Sequence, residues 1–311
     1  MKPIVLSFGL ELSSSLTSSQ QLFDSVDSIT VHVQIGSTRR SMRRAAGDAY
    51  RALAGCYQSG DRIVLLGAGK GAYCACGVAK ALGTVGLMAP DHHLFDYAVE
   101  HWLAPAVSRT DGDWLRLSQL AAQLADTAPV PIAYLGLWNA VKPVGMHSIS
   151  RVSLSNVHTG RHALAVESPR CERLSRTAGS RIDEVWFPGE YRDIVGLPSG
   201  DPTLAAPVVE WVIDGIRQVG IPCRDTTPLP PSRRPRPALP RRFWTRRPSL
   251  PEGALIHGSV RTHAAADPNY WRRLPDQITW VDTGWPASRE RLSDNSVHNM
   301  VEATSELSEA S

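Results

Sequence analysis

The sequence predicts an α/β protein, with a mostly parallel β-sheet covered by helices on both faces. Short apolar runs alternate with amphipathic helical stretches along the chain, which is the pattern of a parallel sheet. The run Ile63–Leu66 continues through a glycine-rich turn into a helical stretch at Ala72–Leu82, so that strand, turn and helix follow without a linker. The 311 residues are 42% hydrophobic, which is enough for the full core of one large domain.

Each element rests on its own pattern of apolar residues, capping residues and turns. Five strands are predicted, at Ile4–Phe8, Ile29–Ile35, residues 62–66, Ile132–Leu137 and Asp183–Phe187. Six helices are predicted, at Arg43–Cys56, Ala72–Leu82, Asp91–Ala106, Asp113–Asp126, Arg161–Arg176 and Leu204–Val219.

Residues 1–288 are expected to form a single domain, interrupted by a proline- and arginine-rich insertion at about 222–251 and followed by a disordered polar tail at 289–311. Such a composition does not form a packed helix and favours an extended arm. The arm is either a plain insertion loop or a basic surface for an anionic partner, nucleic acid or membrane lipid. Its arginines are Arg233, Arg234, Arg236, Arg241, Arg242, Arg246 and Arg247.

The overall composition excludes several classes of protein. A formal net charge of +3 gives the whole chain no electrostatic footprint for nucleic acid. No apolar run approaches the length of a membrane-spanning helix. Five cysteines, an odd number without paired zinc-ligand spacing, favour buried reduced thiols, as at Cys74 and Cys76, and a reducing cytoplasmic setting. We expect neither a metal nor a cofactor.

The turn Gly67-Ala68-Gly69-Lys70-Gly71 is the feature around which the chain is organised. A strand, a sharp turn and a helix form the nucleophile elbow of α/β-hydrolases, G-x-S-x-G. Here the nucleophile's position is Gly69, which has no side chain. Backbone N–H groups at the start of a helix attract anions. Gly67, Gly69, Lys70 and Gly71 are therefore a candidate anion-binding site.

Two other sites are weighed against this interpretation. Gly67, Gly69 and Ala72 formally satisfy a dinucleotide fingerprint, with Asp91 as the acidic residue, but Asp91 opens a helix instead of ending a strand. The Walker A pattern fails because Gly71 stands at its Ser or Thr position. A metal site on the predicted helix at 91–106 would use members of the set His92, His93, Asp96, Glu100 and His101, whose spacing gives only weak pairs.

Five ordered blocks resemble one family. They are GAGKGAY at 67–73, LWNAVKPVG at 137–145, RHALAVES at 161–168, EVWFPGEYRDIVG at 184–196 and IHGSVRTHAAADPNYWRRLP at 256–275. In this order and spacing the chain resembles the α/β-hydrolase domain of bacterial proteins related to type VI secretion phospholipase effectors, over about residues 2–280. The resemblance implies an α/β-hydrolase fold and a Ser, Asp and His triad acting on an ester.

The positions that the resemblance assigns to the triad carry other residues. Gly69 stands for the serine, Asn139 for the aspartate and Tyr191 for the histidine, whereas Asp193 is retained. The chain is therefore predicted to be a degenerate member that works as a binding or regulatory protein. Two alternatives stay open: an ester or lipid hydrolase that uses displaced residues, and an interaction module that uses the basic arm. The displaced residues would be Ser7, Tyr73, Asp193 or Ser199.

Overall fold

The structure, a computed structural model, describes residues 2–9, 26, 28–88, 93–103, 111–124, 128–168, 171–174, 181–197, 199–224, 250–266, 270 and 274–282. Within these residues eight strands form one sheet in the order β2-β1-β3-β4-β5-β6-β7-β8, and each neighbouring pair is parallel. The strands are β1 Pro3–Phe8, β2 Ile29–Val33, β3 Arg62–Ala68, β4 Ile132–Trp138, β5 Gly160–Ala165, β6 Ile182–Phe187, β7 Ala254–His257 and β8 Ile278–Val281. Because all run parallel, their carboxyl ends meet at one edge.

Helices cover both faces of this sheet. The described helices are α1 Arg39–Cys56, α2 Lys70–Val85, α3 His93–Trp102, α4 Asp111–Leu124, α5 Tyr191–Val195, α6 Pro202–Gln218 and α7 Ser259–Ala266. One apolar cluster packs α1 to α4 on one face, and a second packs α5 and α6 on the other. A smaller third cluster joins β7 and α7. The predicted α/β class, a parallel sheet with helices on both faces, is confirmed.

The central helix α2 is buried almost all round, because thirteen of its sixteen residues are inside the core. Most of its residues are Ala, Gly, Cys or Val, and its charged residues are Lys70 and Lys80. A helix that is apolar all round must lie inside the protein. Burial raises the pKa of the Cys74 and Cys76 thiols to about 12, so both thiols stay protonated as packing groups.

One element prediction is wrong. The stretch predicted as a helix at Arg161–Arg176 begins instead as β5, which pairs with β4 and β6 over Gly160–Ala165. Ala and Leu have high intrinsic helix propensity, but tertiary context overrides such preferences. A strand between two parallel neighbours also shows no alternation of polar and apolar residues, so its pattern resembles that of a buried helix.

The other predicted strands exist at nearly the predicted bounds, whereas β7, β8 and the short helix α5 were not predicted. Asp91 and His92 lie outside the described residues, as do the arm arginines Arg233 to Arg247 and the tail. The proposals that depend on them therefore stay predictions.

Candidate functional site

The turn between β3 and α2 keeps the backbone of a nucleophile elbow. Gly69 has φ +55° and ψ −115°, a conformation that residues with a side chain adopt only under strain. Its N–H donates to the Trp138 carbonyl at 2.9 Å, and its carbonyl accepts the Val141 N–H at 2.9 Å. The turn is therefore fixed to the carboxyl end of β4 on both sides.

The neighbouring glycines are needed for close backbone packing. A Cβ atom on Gly71 would lie 2.0 Å from the Phe8 carbonyl oxygen, and one on Gly67 would lie 2.7 Å from the Ala72 Cα. Both distances are far inside van der Waals contact. The glycines at 67 and 71 thus follow from the packing of β1, β3 and α2, and they require no ligand to explain them.

Tyr191 lies directly against Gly69. A Cβ atom built on Gly69 would be 2.8 Å from the Tyr191 hydroxyl oxygen and 3.1 Å from its Cζ. Tyr191 is the first residue of α5 and packs, half-buried, against the apolar cluster that contains Ala68 and Trp138. The structure therefore brings together the positions assigned to serine and histidine, and the tyrosine ring fills the space of the missing side chain.

Asn139 follows β4 and is fully buried. Its φ of +41° lies in the left-handed region, which asparagine tolerates better than most residues. The side-chain oxygen accepts the Ala165 N–H at 3.2 Å, and the side-chain nitrogen donates to Ser168 Oγ at 3.1 Å. The amide therefore connects the end of β4 to the loop that follows β5.

Asp193 serves as a capping residue. Its Oδ2 accepts the Glu190 N–H at 2.8 Å, which closes a capping box at the start of α5. Its Oδ1 accepts the Asp201 N–H at 2.9 Å, just before α6 begins. Both carboxylate oxygens are thus used to join two helix starts, the role that satisfies orphan N–H groups there.

The other residues suggested as displaced nucleophiles lie in three different elements. Ser7 is the penultimate residue of β1, 1% exposed, between Leu66 on β3 and His32 on β2. Tyr73 is inside α2 with its hydroxyl 3.5 Å from His147 Nδ1, and burial raises its pKa above the ordinary value. Ser199 is exposed on the loop between α5 and α6.

A buried, hydrogen-bonded histidine–glutamate pair beside the site was missed by sequence reasoning. His162 on β5 and Glu184 on β6 occupy paired register positions, and His162 Nδ1 is 3.0 Å from Glu184 Oε1. His162 Nε2 accepts the Ala140 N–H at 3.1 Å, so the proton is on Nδ1 and points at the carboxylate. The blocks RHALAVES and EVWFPG carry this pair, and a correct assignment of β5 would have placed the two side chains side by side.

The carboxylate of Glu184 stays charged although it is buried. Desolvation acts to raise its pKa, but the hydrogen bond from His162, the Leu174 N–H at 2.6 Å and the Arg173 guanidinium at 3.3 Å outweigh it, so the pKa is lowered. Since both nitrogens of His162 are occupied, this histidine is not a free base for the elbow. It fixes Ala140, the residue after Asn139.

Two of the side chains considered as metal ligands on α3, Glu100 and His101, have partners within the fold. Glu100 forms an ion pair with Arg43, and buried His101 meets the Trp114 ring edge-on with centroids 4.6 Å apart. The part of the chain that the structure describes contains no group of three His, Cys, Asp or Glu residues able to hold a metal ion.

The described helices also bear on membrane insertion. None of them has the length and apolar character needed to cross a membrane.

Comparison with known proteins supplies the family. The family model described as "T6SS, Phospholipase effector Tle1-like, catalytic domain" matches residues 13–215. No curated protein sequence matches.

The solved structures that match this chain have low identity to it. An uncharacterized protein from Pseudomonas aeruginosa has a TM-score of 0.36 and 13% identity, covering 72% of this chain and 46% of its own. Acyl-protein thioesterase 2 from Zea mays has a TM-score of 0.34 and 8% identity, over 69% of this chain and 94% of that one. The Tle1 effector bound to the VgrG spike has a TM-score of 0.29 and 14% identity, over 62% of this chain and 51% of that one. The chain thus spans about half the length of the Pseudomonas protein.

Proposed function

We propose that this chain, which belongs to the Tle1-like phospholipase effector catalytic-domain family of type VI secretion systems, is a catalytically silent member that acts by binding a partner. The observation that carries this proposal is the contact at the elbow turn. The position of the nucleophile has no side chain, and the Tyr191 hydroxyl lies 2.8 Å from the point where a Cβ atom would be.

The chemistry of the three replaced positions supports this proposal. Glycine offers no oxygen or sulfur to attack an ester carbonyl, so no acyl-enzyme forms at Gly69. Tyrosine has an ordinary pKa near 10 and is a poor general base at pH 7. Asn139 carries no charge that would stabilise an imidazolium, which is what the acid of a triad does.

The folded frame is preserved by residues that have no part in ester hydrolysis. The His162–Glu184 pair ties β5 to β6 and to Ala140, and Asp193 joins the starts of α5 and α6. These contacts stabilise the carboxyl edge of the sheet, and they do not depend on a catalytic triad. A stable scaffold with an occupied elbow fits a binding or regulatory protein, and its cysteine usage fits a cytoplasmic one.

Two alternatives make different demands. A hydrolase with displaced residues needs an accessible nucleophile beside a base. Ser7 is buried in the sheet, burial raises the pKa of Tyr73, and both oxygens of Asp193 cap helices. An interaction module that uses the arm requires the arginines at 233–247 to contact the partner. These arginines lie outside the described residues.

A serine-directed fluorophosphonate probe tests the proposal directly. We expect no labelling of the purified chain and no turnover of a short-chain p-nitrophenyl ester or of a phospholipid above the buffer rate. An active phospholipase should label in parallel as a positive control. Labelling or turnover that survives purification and is lost in Ser7→Ala, Tyr73→Phe, Asp193→Ala or Ser199→Ala would establish the displaced-residue hydrolase instead.

A further inference from the structure

His257, at the carboxyl end of β7, connects three separate elements through its ring. Nδ1 accepts the N–H of Ser259, the first residue of α7, at 3.2 Å, and it lies 2.9 Å from the Ser259 hydroxyl. Nε2 lies 3.3 Å from Oδ2 of Asp282, the residue after β8. The ring is fully buried and stacks on Phe187 of β6, with centroids 4.5 Å apart and an angle of 25°.

These contacts determine where the ring proton is. A backbone N–H can only donate, so Nδ1 must be unprotonated, and the proton on Nε2 faces the Asp282 carboxylate. In this form the imidazole caps α7, because it accepts an N–H that has no partner within the helix. A doubly protonated ring has no acceptor left, so the contact between Nδ1 and the Ser259 N–H would become a contact between two donors.

We infer that His257, Ser259 and Asp282 form an acid-sensitive latch, which holds the start of α7 and the edge strand β8 to β7 at neutral pH and releases them in mild acid. Ser259 is only 4% exposed and its N–H and hydroxyl converge on one ring nitrogen. The group therefore has the geometry of a helix cap and not that of an exposed nucleophile.

The electrostatic surroundings keep the ring neutral. Burial lowers the pKa of His257 from 6.5 to about 4; the charge and hydrogen bond of Asp282 act in the opposite direction, and Arg161 on β5 lowers it further. Arg161 itself is held by the Trp211 carbonyl and ring on α6. Because the folded pKa lies below the unfolded one, the latch contributes its full stability above about pH 6.5, and this is lost as the pH falls toward 4.

The released elements lie at the border of the sheet. Among the strands that the structure describes, β8 is at the edge of the sheet and pairs with β7 alone. Val260 and Ala264 of α7 belong to the small cluster around Leu164 and Ile256. Opening of the latch would expose the free edge of β7 together with this cluster. An unpaired strand edge beside an apolar surface is a template for association with another chain.

Urea unfolding between pH 4 and pH 7 tests the latch in the full chain. As the pH falls, the unfolding equilibrium constant of the wild type should rise more steeply than that of His257→Asn, by up to about tenfold for each pH unit. The reason is that asparagine can accept the Ser259 N–H but does not titrate. The matched control is His158→Asn, which changes an exposed histidine beside Arg181 and should keep the wild-type slope. Equal slopes for wild type and His257→Asn would overturn the inference.

A second measurement covers the case in which His257→Asn does not fold. The His257 ring proton is titrated by NMR in the wild type, and amide hydrogen exchange is followed along α7 and β8. We expect an apparent pKa well below 6.5 and exchange in α7 and β8 that accelerates in acid relative to β3. A pKa at or above 6.5, or exchange in α7 that follows β3 at every pH, would overturn the inference.

Discussion

The Tyr191 hydroxyl lies 2.8 Å from the point where a side chain on Gly69 would begin. These residues are 122 positions apart in the chain, yet each explains the other: a large ring fits only because residue 69 is glycine, and the turn at φ +55° is unstrained for the same reason. Substitutions at the two positions should therefore be coupled.

A double-mutant cycle measures this coupling. Gly69→Ser should lower the free energy of unfolding by about 1–3 kcal/mol, from backbone strain and contact with the ring. In a Tyr191→Ala background the contact part of that loss should disappear, which leaves a coupling of about 0.5 kcal/mol or more. Urea unfolding of the four proteins gives the value, and an equal loss in both backgrounds would show that the ring does not oppose a side chain at residue 69.

Loss of the buried histidine should be costly. His162→Ala removes the donor to Glu184 and the acceptor of the Ala140 N–H. The Glu184 carboxylate, whose side chain is only 2% exposed, is then left with fewer hydrogen-bond partners. A lost hydrogen bond to a charged group and an unsatisfied buried N–H each cost about 1–3 kcal/mol, so the variant should lose about 2–5 kcal/mol. The surface variant His158→Ala should change the unfolding free energy by less than about 0.5 kcal/mol. A similar small effect at His162 would contradict the structural role of the pair.

The same pair makes a prediction about pH. Because the pKa of Glu184 is lowered in the folded chain, its contribution to stability is present above the ordinary value of 4.5 and is lost as the pH falls through the folded pKa. Glu184→Gln should be less stable than the wild type at pH 7, and the difference should shrink below about pH 4. Urea midpoints at pH 7 and pH 3 test this, and a constant difference would mean that the carboxylate charge contributes nothing.

Asn139→Asp should behave in the opposite way. A carboxylate at this fully buried position would still accept the hydrogen bond from the Ala165 N–H and could accept one from the Ser168 hydroxyl. Neither of these two partners carries a positive charge that would offset its own. Burial would raise its pKa above the unfolded value, so the variant should be destabilised by about 1–3 kcal/mol at pH 7 and by less at pH 4. The comparison is thermal unfolding of the variant against the wild type at both pH values.

The anion-binding prediction rests mainly on Lys70, because packing accounts for Gly67 and Gly71. Inorganic phosphate should raise the unfolding midpoint of the wild type in a concentration-dependent way, as any ligand of the folded state does. Lys70→Met should reduce that increase, whereas Lys142→Met, at an exposed residue after β4, should leave it unchanged. No phosphate effect in the wild type would remove the elbow as an anion site.

The sequence was sufficient for the central elements and less so for the margins. β1, β3, β4 and β6 are apolar runs with clear turns, and the elbow follows from its glycines. β5 was missed because Ala and Leu favour helices when read locally, and only its pairing with β4 and β6 decides otherwise. β7 and β8 are four residues each, too short for a periodic pattern.

The site shows the same division between local pattern and tertiary contact. The resemblance gave the positions Gly69, Asn139 and Tyr191, but no pattern indicates that the tyrosine ring fills the glycine's space. That depends on how α5 leaves the end of β6. The His162–Glu184 pair depends on the register of two adjacent strands, and it was lost together with β5.

Ester hydrolysis by a variant with a rebuilt triad is the most direct test of the central claim. Wild type and the variant Gly69→Ser/Asn139→Asp/Tyr191→His are compared on a short-chain p-nitrophenyl ester and on a phospholipid, with circular dichroism to verify folding. We predict that the wild type remains at the buffer rate and that the rebuilt variant exceeds it, since the Tyr191→His change also removes the ring that opposes a side chain at residue 69. Turnover by the wild type equal to or above that of the rebuilt variant would contradict the account.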